Sequence, residues 1–198
     1  MEKLQYTPLE RMIASDYASG IALVIRHSER HPLNGHAGII EADLTEKGMQ
    51  DAIDYGRELA TRYQIERVYT SPLMRCIHTA QGILQGANVE LPLHTHWWMY
   101  SPFLNGSQPD EDSIVIAPTG KIKDIIMSRI DKRLLVMALK RIKIPDEACK
   151  MNIYVSHDSL VSPLRAYILG ENTVQVGDYP GYLEGIALYR ENNQLKMI

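Results

Sequence analysis

Residues 21–25, Ile-Ala-Leu-Val-Ile, are five consecutive apolar residues that end abruptly in charge. A strand covered on both faces shows no polar alternation, so this run predicts a short buried strand of an α/β sheet. Beyond it come Arg26, His27, Glu29, Arg30 and His31, and Pro32 closes the segment. Open α/β sheets bind ligands at the carboxyl ends of their strands, where these charges would lie. Two arginines flanking a histidine suit a dianion, because guanidinium groups stay charged and match phosphate oxygens in a bidentate fork. A second run, Asn152-Ile153-Tyr154-Val155, ends in the same manner in Ser156-His157-Asp158.

Between these strands the hydrophobic period changes. Met49, Ala52, Ile53, Gly56, Leu59, Ala60 and Tyr63 recur at three- and four-residue steps, which predicts a helix within 44–63 with Thr45 as its N-cap. Residues 66–70 read as a strand, and Ser71-Pro72 then opens a helix whose apolar stripe is Leu73, Cys76, Ile77, Ala80 and Leu84. Arg75 falls in its first turn, where free N–H groups and the positive helix end favour an anion. A strand is expected over 88–98, and a long helix over 121–143 with Ile122, Ile126, Ile130, Leu134, Met137 and Ala138 buried beneath a basic, solvated exterior. Asn192-Asn193 is expected to turn a closing hairpin. The alternation of strands and helices gives a three-layer α/β/α sandwich with a largely parallel sheet. All three charged clusters follow strands and can share one sheet edge.

Three stretches resemble the histidine phosphatase superfamily. Arg26-His27-Ser28-Glu29-Arg30-His31-Pro32 is similar to the RHGxRxP signature of its acid phosphatase branch, with Ser28 in place of the glycine. Ser71 to Ala80 matches the SPxxRxxxTA element at every fixed position, and His157-Asp158 resembles the His-Asp signature of the same branch. Leu44-Thr45-Glu46-Lys47-Gly48 resembles a helix-opening LTxxG element. The resemblance implies a phosphoglycerate mutase-like fold whose mixed sheet has one antiparallel edge strand. It implies a phosphomonoester hydrolase in which His27 attacks phosphorus to form a phosphohistidine. Arg26, Arg30, Arg75 and His157 would hold the phosphoryl oxygens, and Asp158 would protonate the leaving group. The other branch takes its acid, a glutamate, from mid-chain, a role that Glu111 or Glu29 could fill. A phosphate-binding module without turnover and a phosphomutase remain as alternatives on the same scaffold.

At 198 residues, with 45% hydrophobic and 23% charged residues, the chain is expected to be a single domain, 1–198, with a small lid insertion at about 97–120. That insertion is rich in aromatics (Trp97, Trp98, Tyr100, Phe103) before an acidic turn, Asp110-Glu111-Asp112. Selection is expected there: its aromatics to cover a small leaving group, its carboxylates to repel polyphosphates. A net charge of −3 points to neither nucleic acid nor an anionic membrane as partner. Two cysteines make no disulfide framework, and no apolar run reaches membrane-spanning length, so a cytoplasmic location is expected. Cys76 is not a phosphatase nucleophile, since the arginine such a loop requires six residues on is Gly82. His94 and His96 could begin a metal site with His27, His31, His36, His157 and Asp158, but no glutamate or cysteine stands at a recognised ligand spacing. A cofactor-free, metal-independent enzyme acting on a small phosphorylated substrate is therefore expected, with its oligomeric state open.

Overall fold

A computed structural model describes residues 6–14, 16–33, 40–100, 125–126, 132–171, 173–174 and 179–198. Glu111, His36 and all of the expected lid beyond Tyr100 lie outside the described residues. In chain order the elements are α1 (Leu9–Ala14), β1 (Ile21–Arg26), α2 (Glu46–Leu59), β2 (Gln64–Thr70), α3 (Met74–Gly86) and β3 (Leu93–Thr95). A 3-10 turn, Trp97–Met99, follows β3. Then come β4 (Ile125–Ile126), α4 (Lys132–Arg141), β5 (Lys150–Ser156), α5 (Asp158–Leu169), β6 (Thr173–Val174), β7 (Gly185–Glu191) and β8 (Gln194–Met197).

The main sheet has the order β3-β2-β5-β1-β7-β8. β3, β2, β5 and β1 pair in parallel, while β7 runs antiparallel to β1 and β8 antiparallel to β7. Alternate residues of β1 go to opposite faces. Ile21, Leu23 and Ile25 pack with Ala52 and Leu59 of α2 and Cys76, Ala80 and Ile83 of α3. Ala22 and Val24 pack with Ala138 of α4 and Leu160, Val161 and Leu164 of α5. A strand buried on both faces has no place for a polar residue, which is why its sequence carries no alternation. The fold is the three-layer, phosphoglycerate mutase-like α/β sandwich. Among the described residues no helix is long and apolar enough to cross a membrane.

Several local expectations change. The antiparallel strand β7 is not the edge, because Asn192 and Asn193, at φ 51° and 62°, fold β8 back outside it. Positive φ at both central residues is what a tight two-residue hairpin requires, and asparagine tolerates it. The strand expected over 88–98 is only Leu93–Thr95. Ile125-Ile126 lies in a strand paired with Thr173–Val174, where a helix was expected, in keeping with the extended preference of β-branched residues. In α4 it is Leu135 and Ala138 that are buried, whereas Met137 is 43% exposed.

α2 and α3 approach closely enough that backbone meets backbone. A Cβ at Gly56 would stand 2.0 Å from the Ile83 carbonyl oxygen, and one at Gly86 1.8 Å from that of Ile53. Alanine in a helix gains roughly 1 kcal/mol over glycine in propensity, but overpacking a closed contact costs about 1–3 kcal/mol and here the obstacle is rigid backbone. Gly56→Ala should therefore lower stability by about 2 kcal/mol in urea unfolding, against the gain that an exposed helix would show.

Candidate active site

The parallel register sets three strand ends level: Arg26 pairs with Ser156, and Thr70 with Val155. Two further hydrogen bonds carry this alignment past the strands, from His27 N–H to the Ser156 carbonyl (2.9 Å) and from Ser71 N–H to the Val155 carbonyl (3.0 Å). Arg26-His27, Ser71 and Ser156-His157-Asp158 consequently converge on one edge of the sheet. α3 starts just beyond Ser71 and brings Arg75, 4% exposed, from its first turn. α5 begins at Asp158, so its N-terminus points at the same place.

His27 is at the centre, 3% exposed. Its Nδ1 lies 2.8 Å from the Ser28 carbonyl oxygen. A carbonyl can only accept, so Nδ1 carries the proton and, in the neutral ring, Nε2 keeps its lone pair. Burial chiefly pushes the His27 pKa down to about 3, against the Ser28 hydrogen bond and with help from Arg75, Arg26 and Arg30. The ring is therefore a neutral base throughout the physiological range. His157 stands edge-on to it at 5.4 Å between ring centres, and burial, then Arg75, holds its pKa well below the ordinary value. Both imidazoles are neutral in a pocket whose positive charge comes from arginine.

Ser71 does not cap α3. The helix starts at Met74 with Leu73 at the N-cap and no side-chain cap bond. The Ser71 hydroxyl instead lies 2.9 Å from His157 Nε2, so a residue read as helix punctuation orients a site histidine. Cys76 is buried beside it, its Sγ 3.4 Å from His157 Nε2 and donating to the Ser156 carbonyl at 3.5 Å. Burial pushes the Cys76 thiol up to about 12, which leaves it a packing group with no nucleophilic character. Thr79, one helical turn beyond Arg75, accepts from Ser28 N–H at 2.9 Å and donates to the Arg75 carbonyl at 2.6 Å. That link fixes the segment after β1 against α3. Ser28, where the signature has glycine, is fully buried, and its hydroxyl has no hydrogen-bond partner.

Arg26 donates to the Pro180 carbonyl at 2.8 Å and stands 3.4 Å from Asp158 Oδ2. Its Nε is buried without a hydrogen-bond partner. Asp158 Oδ1 accepts from Ser159 N–H at 2.8 Å. Arg30 donates to the His31 carbonyl, and burial lowers its pKa, with Arg26 repelling it and Tyr182 and Asp158 acting the other way. Glu29 is drawn away from the cluster: its Oε1 accepts from Thr45 Oγ1 at 2.8 Å, and Lys47 lies 3.9 Å from Oε2. His94 and His96 are exposed beside Tyr69, at ring separations of 5.2 and 6.1 Å. Among the described residues no three His, Cys, Asp or Glu stand together as metal ligands. Tyr182 was missed by the sequence reading. Its ring sits 4.5 Å from the Arg26 guanidinium carbon and 5.9 Å from the His27 ring, a contact across more than 150 residues from a segment without a motif.

Residues 22–97, which hold Arg26, His27, Arg30 and Arg75, match the model of the histidine phosphatase superfamily (branch 1). Over that stretch the chain is similar to the histidine phosphatase superfamily. The matched description is branch 1, whereas the motifs at 26–32 and 157–158 resemble the acid phosphatase branch, and the match ends before His157-Asp158. Among curated relatives, phosphoserine phosphatase 1 of Hydrogenobacter thermophilus is 34% identical over 71 residues, 35% of this chain and 33% of that protein. The alignment thus spans about a third of the curated relative's length. The phosphoserine phosphatase of Entamoeba histolytica in complex with 3-phosphoglyceric acid superimposes with a TM-score of 0.55 at 17% identity, over 89% of this chain and 94% of that one. A mycobacterial glucosyl-3-phosphoglycerate phosphatase complexed with VO3 does so at 0.55 and 15%, over 91% and 97%. At such identities the superpositions show a shared fold and nothing more.

The buried neutral His27 has a consequence for stability. Between about pH 3 and the ordinary imidazole value of 6.5, the unfolded chain binds a proton at His27 that the folded chain does not. Acid then favours the unfolded state, so this contribution is complete above pH 6.5 and is lost progressively as pH falls toward 3. Urea unfolding at pH 7.5 and pH 5 should show wild type losing stability on acidification and His27→Asn losing less. An equal loss in both would mean that His27 is protonated in the folded protein.

Proposed function

We propose that the chain is a phosphomonoester hydrolase that works through a phosphohistidine on His27, without a metal, on a small phosphorylated substrate. The observation that carries this reading is the buried, neutral His27 with its Nδ1 proton committed to Ser28 and its Nε2 lone pair left for attack, inside a ring of arginines. A phosphomonoester dianion repels nucleophiles, so the task is charge neutralisation, alignment and protonation of the leaving oxygen. Arg26, Arg30 and Arg75 supply the positive charge, and His157, held by Ser71, supplies a neutral donor to a phosphoryl oxygen.

In the first step the Nε2 lone pair forms the N–P bond as the ester P–O bond breaks, and Asp158 gives its proton to the departing oxygen. In the second, Asp158 takes a proton from water, the water oxygen bonds to phosphorus, and the N–P bond breaks to release phosphate and restore His27. Asp158 is favoured over Glu29 as the acid because it lies against Arg26 at the strand ends while Glu29 is hydrogen-bonded to Thr45. The branch 1 match keeps Glu111 as the rival acid. Phosphoserine, which appears in the names of two relatives, is a phosphomonoester dianion, the class of compound that this reading calls for.

His27→Ala should lower kcat on every substrate by at least about a thousandfold, since the nucleophile is lost. Asp158→Asn should lose about a hundredfold on an alkyl phosphate and much less on 4-nitrophenyl phosphate, whose leaving group needs little protonation. Glu111→Gln should leave that ratio unchanged, and saturating chelator should leave wild-type rates unchanged. An alkyl-selective loss in Glu111→Gln rather than Asp158→Asn would move the acid to Glu111. Activity lost with chelator and restored by zinc or magnesium would overturn the arginine-based reading.

A further inference from the structure

Tyr182 stands at the tip of a turn built to present it. The Gly181 N–H donates to Glu184 Oε2 at 2.7 Å, and the Glu184 N–H donates to the Gly181 carbonyl at 3.3 Å. Between them Leu183 has φ 59°, a left-handed conformation that is unusual for a bulky residue, and its side chain packs against the core on the α2–α3 side. Such strain persists only where the surroundings hold it, and it concentrates at functional sites. The turn is also tied to the strand ends, because the Pro180 and Glu184 carbonyls accept from the Arg26 side chain at 2.8 Å and backbone N–H at 2.9 Å. Driving Leu183 into the core turns Tyr182 outward over the site, 38% exposed, with Arg26 against its ring.

The position relative to the proposed chemistry is specific. Arg26 carries Tyr182 on its face at 4.5 Å and Asp158 at its edge at 3.4 Å. Tyr182 and Asp158 thus meet the same guanidinium, so a leaving group protonated by Asp158 would depart on the side of the site that holds the Tyr182 ring. At the other histidine of the pair, Tyr100 stands edge-on to His157 at 5.4 Å, and Trp97, 54% exposed, stands edge-on to Tyr100 at 6.5 Å. Each histidine of the pair thus has a tyrosine ring against it, where a dianion alone needs only donors.

We propose that Tyr182 is a specificity-determining residue that selects phosphomonoesters with a flat, aromatic leaving group, which packs against the exposed part of its ring. This rests on the phosphatase reading above and deepens it. Ring-on-ring packing of this kind favours an aryl over an alkyl group by an amount that Tyr182→Phe keeps and Tyr182→Ala or Tyr182→Leu removes.

The test is kcat and KM for phenyl phosphate and glycerol 2-phosphate with wild type and the three variants. Each substrate is compared with itself across enzymes, so the difference in leaving-group acidity cancels. Tyr182→Ala and Tyr182→Leu should lower kcat/KM for phenyl phosphate by about tenfold, mostly through KM, and for glycerol 2-phosphate by less than about threefold, with Tyr182→Phe close to wild type on both. Equal losses on the two substrates would show that Tyr182 acts only by holding Arg26 and would overturn the proposal. So would unchanged values in Tyr182→Leu. A wild type inert on both substrates while still binding vanadate would overturn the hydrolase reading itself, an outcome distinct from either.

Discussion

Everything at the site depends on parallel pairing that stops three strands level with one another. Because Arg26 is in register with Ser156 and Thr70 with Val155, the residues that follow each strand emerge side by side, although they come from 26–31, 71–75 and 156–158. Two backbone hydrogen bonds beyond the ladders continue that alignment to His27 and Ser71. α2 and α3, locked by glycine contacts, close one face of the sheet, and α4 and α5 close the other. The sheet ends are then the place where this core can afford polar chemistry.

The electrostatics follow from that burial. Placing three arginines near two desolvated imidazoles raises the energy of every proton added to the rings, so both histidines stay neutral. Burial and mutual repulsion also work against the charges of Arg30 and Arg75. An incoming dianion relieves both penalties at once, which is the physical sense of a cationic pocket with neutral donors. The Ser28 carbonyl completes the arrangement by fixing which nitrogen of His27 holds the proton.

Much of this was legible in the chain because the signals were local. A strand buried on both faces has to be uniformly apolar, Thr45 is placed to accept from Gly48 N–H at the start of α2, and Asn192-Asn193 can hold the positive φ of a tight turn. Arg26, His27, His157 and Asp158 could be singled out because they stand at or just past the end of a strand, and Arg75 because it falls in the first turn of the helix after one. What escaped depends on contacts between distant segments. Ser71 looks like a helix cap, since Ser-Pro suits that role, and only the packing of β5 beside β2 gives it His157 as a partner instead. Thr79 belonged to a recognised element, but its bond to Ser28 N–H needs α3 laid across the end of β1. Tyr182 has no motif at all, and it reaches Arg26 only because β7 lies beside β1. Glu29 shows the reverse: adjacent in sequence to the cluster, it is drawn to the N-terminus of α2 by Thr45.

The central claim is that the Nε2 of His27 is the atom that takes the phosphoryl group. It can be tested by stopping turnover in strong base, where a phosphohistidine survives, and locating the bound phosphorus by peptide mass spectrometry and phosphorus–nitrogen coupling in NMR. The account predicts one phosphoryl group per chain, on His27, bonded to Nε2. Phosphorus on Nδ1, on His157 or on another residue, or turnover with no covalent phosphorus at any time point, would contradict it.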